Sequence, residues 1–488
     1  MMMKKANALV TEAYKRIGAL LYAVATNESL FLLAAILPSL VLGSELFKWH
    51  QVAVNMFERY VLVPWGMALC LVRLERKSRV QIAESRWDLR ILFVLLAWVV
   101  VPFGIRFGMT FNNATSWHGH CVVFFGLYAM LTEESPRKRE QLFDQACLLF
   151  GMLGLVMGSA LLWCAWTGAR IDSNWIVHYG TYAENGYSFG LYAGQNLCSG
   201  MHYNLTGVMA LCCTMFCFAG ACRSRYCVMR FAYVMTAVIV MIVIVLTQSR
   251  TARYSLIGAM GAGVFSYIVT LPKIRSAVVR CAAGLIAAAT VMVVTYTGAA
   301  ILTDAALEHY AQLEQGRRIS VIASARAQEN AERTVQPKEA RVAVDATMSG
   351  RTDIWKNLFG YWKENPKELL IGAGMGNIGS RIVKGTIHEE NGSVSVHNSY
   401  LQYLADYGII GCGLMVGFLL SILAPVLRVF FAKGKDRIPG YCAMGMLVVA
   451  ALLTGMMESW TLGAMTALNA WMFFALALLT AYGRELKK

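Results

Sequence analysis

Three side chains in this sequence are of the kinds that handle phosphate and protons, and each stands beside an apolar stretch. Arg250 comes first, with Arg253, in the turn Thr247-Gln248-Ser249-Arg250-Thr251-Ala252-Arg253. A guanidinium at membrane depth is costly, so it faces a polar interior or a bound anion. Its planar fork donates two parallel hydrogen bonds, which suits phosphate. Snorkelling to the interface or pairing with a carboxylate is the plainer use. Arg351 follows Ser349-Gly350. Ser349 resembles an N-cap for a helix carrying Ile354, Trp355, Leu358, Phe359 and Trp362, which Asn365-Pro366 would end. A helix start offers free N–H groups to an anion, and a cation there opposes the helix dipole, so Arg351 invites a use beyond the surface. His397 lies in Val396-His397-Asn398-Ser399-Tyr400-Leu401, a few residues before the next apolar stretch. Its neutral imidazole can take a proton near neutral pH. Asn398 beside it could orient a substrate or cap the following helix.

Other motifs carry less. Gly374-Met375-Gly376-Asn377-Ile378-Gly379 matches a dinucleotide fingerprint in spacing only. That fingerprint needs a strand–turn–helix unit and a distant acid, so these glycines read as a tight turn. His388 has no metal-type spacing. Cysteines such as Cys212, Cys213 and Cys217 sit inside apolar runs without ligand spacing, and only Cys198 falls clearly in a polar segment. No metal site and no cofactor is expected.

The elements that must position these side chains are membrane helices. The chain is 57% hydrophobic and only 15% charged, well away from the composition of a soluble domain. Its apolar runs are continuous, and in lipid a continuous run must be a helix. The sequence predicts about twelve spans: 30–47, 54–72, 91–107, 121–131, 148–166, 205–222, 231–246, 255–271, 281–302, 408–431, 441–457 and 462–482. Clusters such as Lys4-Lys5, Arg76-Lys77, Arg137-Lys138-Arg139, Arg223-Ser224-Arg225 and Lys487-Lys488 fall in every second segment between these spans, all on one side of the membrane. The positive-inside rule then puts both termini in the cytoplasm. A net charge of +15 is thereby a matter of topology, and no basic face of the kind that binds nucleic acid stands out.

The expected fold is all-α: a polytopic membrane protein with one large, partly helical extracytoplasmic loop. Residues 1–28 would form a cytoplasmic amphipathic segment. Residues 29–303 would hold nine spans and an outer loop, 167–204, rich in Tyr and Trp. Residues 304–407 would form the large loop with Arg351 and His397, and 408–488 the last three spans and a short tail. No cleavable signal is expected at the first span.

Taken together, Gly350-Arg351 with Trp355, then Gly372, Gly374 and Gly376, then Val396-His397-Asn398-Ser399-Tyr400-Leu401 with Gly408 and Gly411, resemble the O-antigen ligase and polymerase superfamily. The close likeness spans roughly 349–411, and the outer-turn Arg250 agrees with it. The resemblance implies a glycosyltransferase of the cytoplasmic membrane that acts on its outer face, in cell-surface polysaccharide biosynthesis. It would use a polyprenyl-diphosphate-linked glycan donor, of the undecaprenyl diphosphate kind, and a glycan or lipid-glycan acceptor, without metal or nucleotide sugar. Arg250 and Arg351 would hold the diphosphate, and His397 would activate or position the acceptor hydroxyl. Arg253, Arg381 and Asn398 would be secondary binding residues. Relatives that glycosylate proteins often add a carboxy-terminal outer domain, and a chain ending at Lys488 is expected to lie outside that branch. The competing expectation is a transporter or flippase of lipid-linked glycans.

Overall fold

The computed structural model describes residues 86–104, 126–171, 203–270, 276–328, 351–386, 394–431, 438–459 and 467–487, with shorter pieces between them. Expected spans 30–47 and 54–72 and the amphipathic segment 1–28 lie largely outside the described residues, as do residues 121–125 of expected span 121–131.

The described chain is mostly helix. In order come α1 (Trp87–Gly104), α2 (Pro136–Thr167), α3 (Tyr203–Arg223), α4 (Cys227–Leu246), α5 (Arg250–Thr270) and α6 (Ala277–Gln328). After a break follow α7 (Arg351–Glu364), the short α8 (Pro366–Ile371), α9 (Ser399–Phe431), α10 (Ile438–Met457) and α11 (Ala467–Glu485). Among the described residues, six helices are long and apolar enough to cross a membrane: α2, α3, α4, most of α6, α9 and α10. Among the described helices, α1, α5 and α11 are shorter or more polar than these. Glycines and hydroxyls dilute α5, for example. It packs instead by close approach, with Ser255 Oγ 2.9 Å from Thr454 Oγ1 of α10, as small and polar residues do between membrane helices.

α3 lies at the centre, packed against α2, α4, α10 and α11. Its side chains are buried around most of the helix, including Leu211, Cys212, Cys213, Met215 and Phe216. The buried cysteines thus serve as small apolar packing, and the described cysteines are free. Among the described residues no His, Cys, Asp and Glu group could hold a metal ion.

Three boundaries differ from the hydropathy reading. First, 167–204 is not wholly irregular, and the all-α expectation fails there. It holds β1 (Ala169–Ile171), β2 (Val177–Tyr179), β3 (Phe189–Tyr192) and β4 (Asn196–Ser199), an antiparallel sheet ordered β2-β1-β3-β4. β3 and β4 pair in the register Phe189↔Ser199 and Tyr192↔Asn196, and β4 leads directly into α3. Secondly, the helix of span 281–302 does not stop where apolarity does. α6 runs unbroken through Asp304 to Gln328, because helix formers such as Ala305, Ala306, Leu307 and Glu308 follow without a breaker. Thirdly, α9 starts at Ser399 and kinks at Gly408, nine residues before and at the expected span start of 408.

Candidate active site

Two elements outside the apolar bundle carry Arg351 and His397. α7 is amphipathic: Ile354, Leu358 and Trp362, one face of the helix, pack on Ile378, Ile382, Val383 and Val396. Arg351 is its first residue, as the Ser349 reading expects, although Ser349 and Gly350 lie outside the described residues. After α8 the chain turns through Gly372, Gly374 and Gly376, with φ of 89°, 81° and 75°. The turn is pressed onto the α9 kink. Ala373 and Gly374 N–H groups donate to the Ala405 and Asp406 carbonyls at 2.8 and 2.9 Å. A Cβ at Gly372 would come within 2.3 Å of the Asp406 carbonyl oxygen, and one at Gly408 within 2.3 Å of the Leu370 carbonyl oxygen. Only glycines permit so close a contact at positive φ. The glycine run is therefore a backbone clasp and no nucleotide site.

The clasp and α7 hold the loop before α9 from both sides. Trp355 Nε1 donates to the Val396 carbonyl at 2.9 Å, and Val396 N–H donates to Gln402 Oε1 at 3.2 Å. His397, next in line, has φ of 52°. A non-glycine residue in this region is strained, and such strain persists where surroundings impose it, commonly at functional sites. Asn398 Oδ1 accepts from the Tyr400 and Leu401 N–H groups at 3.0 Å each, and its Nδ2 donates to the Met456 carbonyl. Of the two uses the sequence offers for Asn398, these bonds describe the helix cap.

The third element is the turn before α5. Thr247 and Ser249 are buried, and Ser249 Oγ accepts from Ala252 N–H at 3.2 Å, capping the helix that Arg250 begins. The turn nests on the first turns of α3, where Gly207 leaves no room for a side chain: a Cβ there would lie 2.6 Å from Ala252 Cβ. This brings Arg250, which is exposed, within Coulombic reach of Tyr203.

These elements meet at a residue that the sequence reading did not single out. Glu458, one turn past Thr454 at the end of α10, is 2% exposed. Its Oε1 accepts from Arg351 Nη2 at 3.1 Å and from Asn204 Nδ2 at 2.9 Å. Its Oε2 lies 3.4 Å from His397 Nδ1. Ser399 Oγ donates to its backbone carbonyl at 2.6 Å. Arg250, Arg351 and Glu458 all lie within Coulombic reach of the Tyr203 phenol. So α3, α5, α7, α10 and the loop before α9 deliver two guanidiniums, an imidazole and a carboxylate to one end of the bundle. Such a set can bind a doubly charged anion and take up a proton beside it.

Of the secondary candidates, Asn398 caps α9 beside His397, whereas Arg381 and Arg253 have partners other than Glu458. Arg381 pairs with both carboxylate oxygens of Glu368, at 2.9 and 3.0 Å, bonds Tyr361, and lies over the Tyr361 ring. Arg253 donates to Thr303 Oγ1 of α6 at 2.9 Å, at the edge of an apolar groove lined by Val238, Met241, Ile257, Thr295 and Leu302. His388 lies outside the described residues.

No curated protein matches the chain. A family model described as O-antigen ligase matches residues 235–416. The matched segment holds Arg250, Arg351, the glycine clasp and His397, and stops short of Glu458. Over this segment the chain is similar to the O-antigen ligase family, and the match together with the apolar helices supports an O-antigen ligase-like membrane protein.

Proposed function

We propose that this protein transfers a glycan from a polyprenyl-diphosphate donor to a hydroxyl of a glycan or lipid-glycan acceptor, at the outer face of the cytoplasmic membrane. The observation that supports it most is the meeting of Arg351 and His397 on one buried carboxylate, with Arg250 alongside.

Diphosphate is a good leaving group, so the reaction needs charge stabilisation more than a strong acid. Negative charge grows on the bridging oxygen as the anomeric carbon–oxygen bond breaks. Guanidiniums fixed in advance stabilise that charge, one such donor being worth about 3 kcal/mol. Arg250 and Arg351 take this part. His397 takes the acceptor's proton as the hydroxyl oxygen bonds to the anomeric carbon. A base so placed contributes roughly 100- to 10,000-fold. Attack opposite the diphosphate inverts the anomeric centre. The groove below Arg253 offers the carrier's hydrocarbon chain an apolar path one helical turn from Arg250. The acceptor is either a second lipid-linked glycan, giving a polymer, or a lipid core. The family match, to a transferase, gives no support to the flippase alternative.

The test replaces the native copy with His397→Ala, Arg351→Ala or Arg250→Ala and measures the yield and length of the cell-surface polysaccharide. Loss of product in all three, with the protein still in the membrane, is expected. Normal yield and length in all three would end the proposal.

A further inference from the structure

Glu458 lies beyond the matched segment, and the transfer chemistry above gives it no part. Yet it is the buried group on which that chemistry converges. A carboxylate removed from water must be matched by charge and hydrogen bonds. Here the matching comes from Arg351 and Asn204 on one oxygen and His397 on the other. The Ser399 bond fixes the backbone that carries it.

Two consequences follow from this sharing. An ionised carboxylate only accepts, so His397 Nδ1 must be the protonated nitrogen facing it, which leaves Nε2 bare and able to take a proton. And Arg351 at 3.1 Å is held by a charge that an incoming anion must displace. Once a diphosphate takes Arg351, Glu458 is left with less positive charge around it. A proton arriving on His397 restores the balance. The groups facing Glu458 and His397 do not replace that proton. They are Arg351 from α7 and Tyr203 and Asn204 from α3, with Arg250 from α5 and Cys198 from β4 around the Tyr203 phenol.

We propose that Glu458 is a positioning residue shared by the two substrates: it holds His397 through Nδ1–H, so that the unprotonated Nε2 receives the acceptor's proton, and it yields Arg351 to the donor diphosphate. This rests on the diphosphate-transfer reading above. The atoms balance as before: the acceptor proton moves to Nε2, the acceptor oxygen bonds the anomeric carbon, and the diphosphate leaves with the electron pair. The imidazolium then returns its proton to water.

The test uses the whole protein in lipid nanodiscs with undecaprenyl diphosphate as probe. Glu458→Gln keeps the shape and an acceptor for Nδ1–H but removes the charge competing for Arg351. It should bind the probe roughly tenfold tighter, the change of one modest interaction. In cells, the same variant should lower polysaccharide yield by about 10- to 100-fold, the usual weight of a supporting partner. Tighter binding with slower transfer is a split that general loosening of the fold would not produce. Unchanged or weaker probe binding by Glu458→Gln, while Arg351→Ala weakens it, would overturn this role of Glu458 and leave the transfer reading standing. Probe binding insensitive to both Arg250→Ala and Arg351→Ala would remove that reading and the role of Glu458 with it. Nitrogen-15 NMR of histidine-labelled wild-type protein, assigned with His397→Gln, gives a second decision that needs no Glu458 variant. A His397 protonated on Nδ1 and bare on Nε2 is expected, and the opposite tautomer overturns the proposal.

Discussion

The two ends of the bundle both bury charge, but they spend it differently. At the end where α2, α10 and the last turn of α3 meet, arginines and carboxylates pair off. Asp88 takes Arg86 at 3.2 Å and Arg484 at 2.9 Å, and the Tyr128 hydroxyl donates to it at 2.8 Å. Arg223 bridges Glu140 and Asp144 at 2.6 and 2.7 Å, Tyr441 donates to Glu140, and Arg139 pairs with Glu485. That is four arginines, 86, 139, 223 and 484, against four carboxylates, 88, 140, 144 and 485. Burial opposes the charge of Arg86, yet the bond and field of Asp88 outweigh it and raise its pKa. This end ties helices together.

At the Glu458 end, among the described residues, one guanidinium and an imidazole share one carboxylate, and Arg250 lies within reach of the same Tyr203 phenol as that guanidinium and carboxylate. The two described non-glycine residues with positive φ, Gln248 and His397, are both here. Balanced, relaxed pairs make structure; a cation-rich, strained cluster is poised for an anion. That contrast is what distinguishes the candidate active site from an equally buried ion network of the same protein.

The contrast can be broken by substitution at either end. His397→Ala should have the largest effect, a fall in polysaccharide yield of roughly 100- to 10,000-fold, with little change in thermal unfolding of the purified protein. Arg351→Ala or Arg250→Ala should lower transfer by about 100-fold, and should weaken binding of undecaprenyl diphosphate in nanodiscs. Asp88→Asn should do the reverse. It breaks a buried pair at the balanced end, so unfolding in detergent should show a loss of about 3 kcal/mol, with transfer per folded molecule unchanged. If Asp88→Asn abolished transfer at full stability, the division between the ends would fail. Arg381→Ala should have the smallest effect, under about 1 kcal/mol of stability, as for partly exposed ion pairs, and near-normal polysaccharide. A loss like that of Arg351→Ala would bring Arg381 into the anion site after all.

Much of the site was legible because its chemistry departs from its surroundings. Arginines at an apolar boundary and a histidine just before a span stand out in a chain with so few charges. Glu458 did not stand out, since a single carboxylate at the end of an apolar run reads as an interface residue. Its one signal was position: it closes a span on the same side as Arg351 and His397, where the connecting segment is short. Asn204 gave none. The sheet escaped because strands of three and four residues, with Gly190 inside one, show no alternation. The reach of α6 escaped because hydropathy marks where lipid ends, whereas helicity is set by residues such as Ala305 and Glu308 that continue the helix into water.

The most direct test of the central claim is a structure, by electron cryomicroscopy in nanodiscs, with undecaprenyl diphosphate bound. The expected density places the diphosphate within hydrogen-bonding distance of Arg250 and Arg351, with Arg351 drawn from Glu458 and His397 facing the terminal phosphate's far side. A diphosphate bound elsewhere, with Arg351 still on Glu458 at saturating lipid, would contradict it.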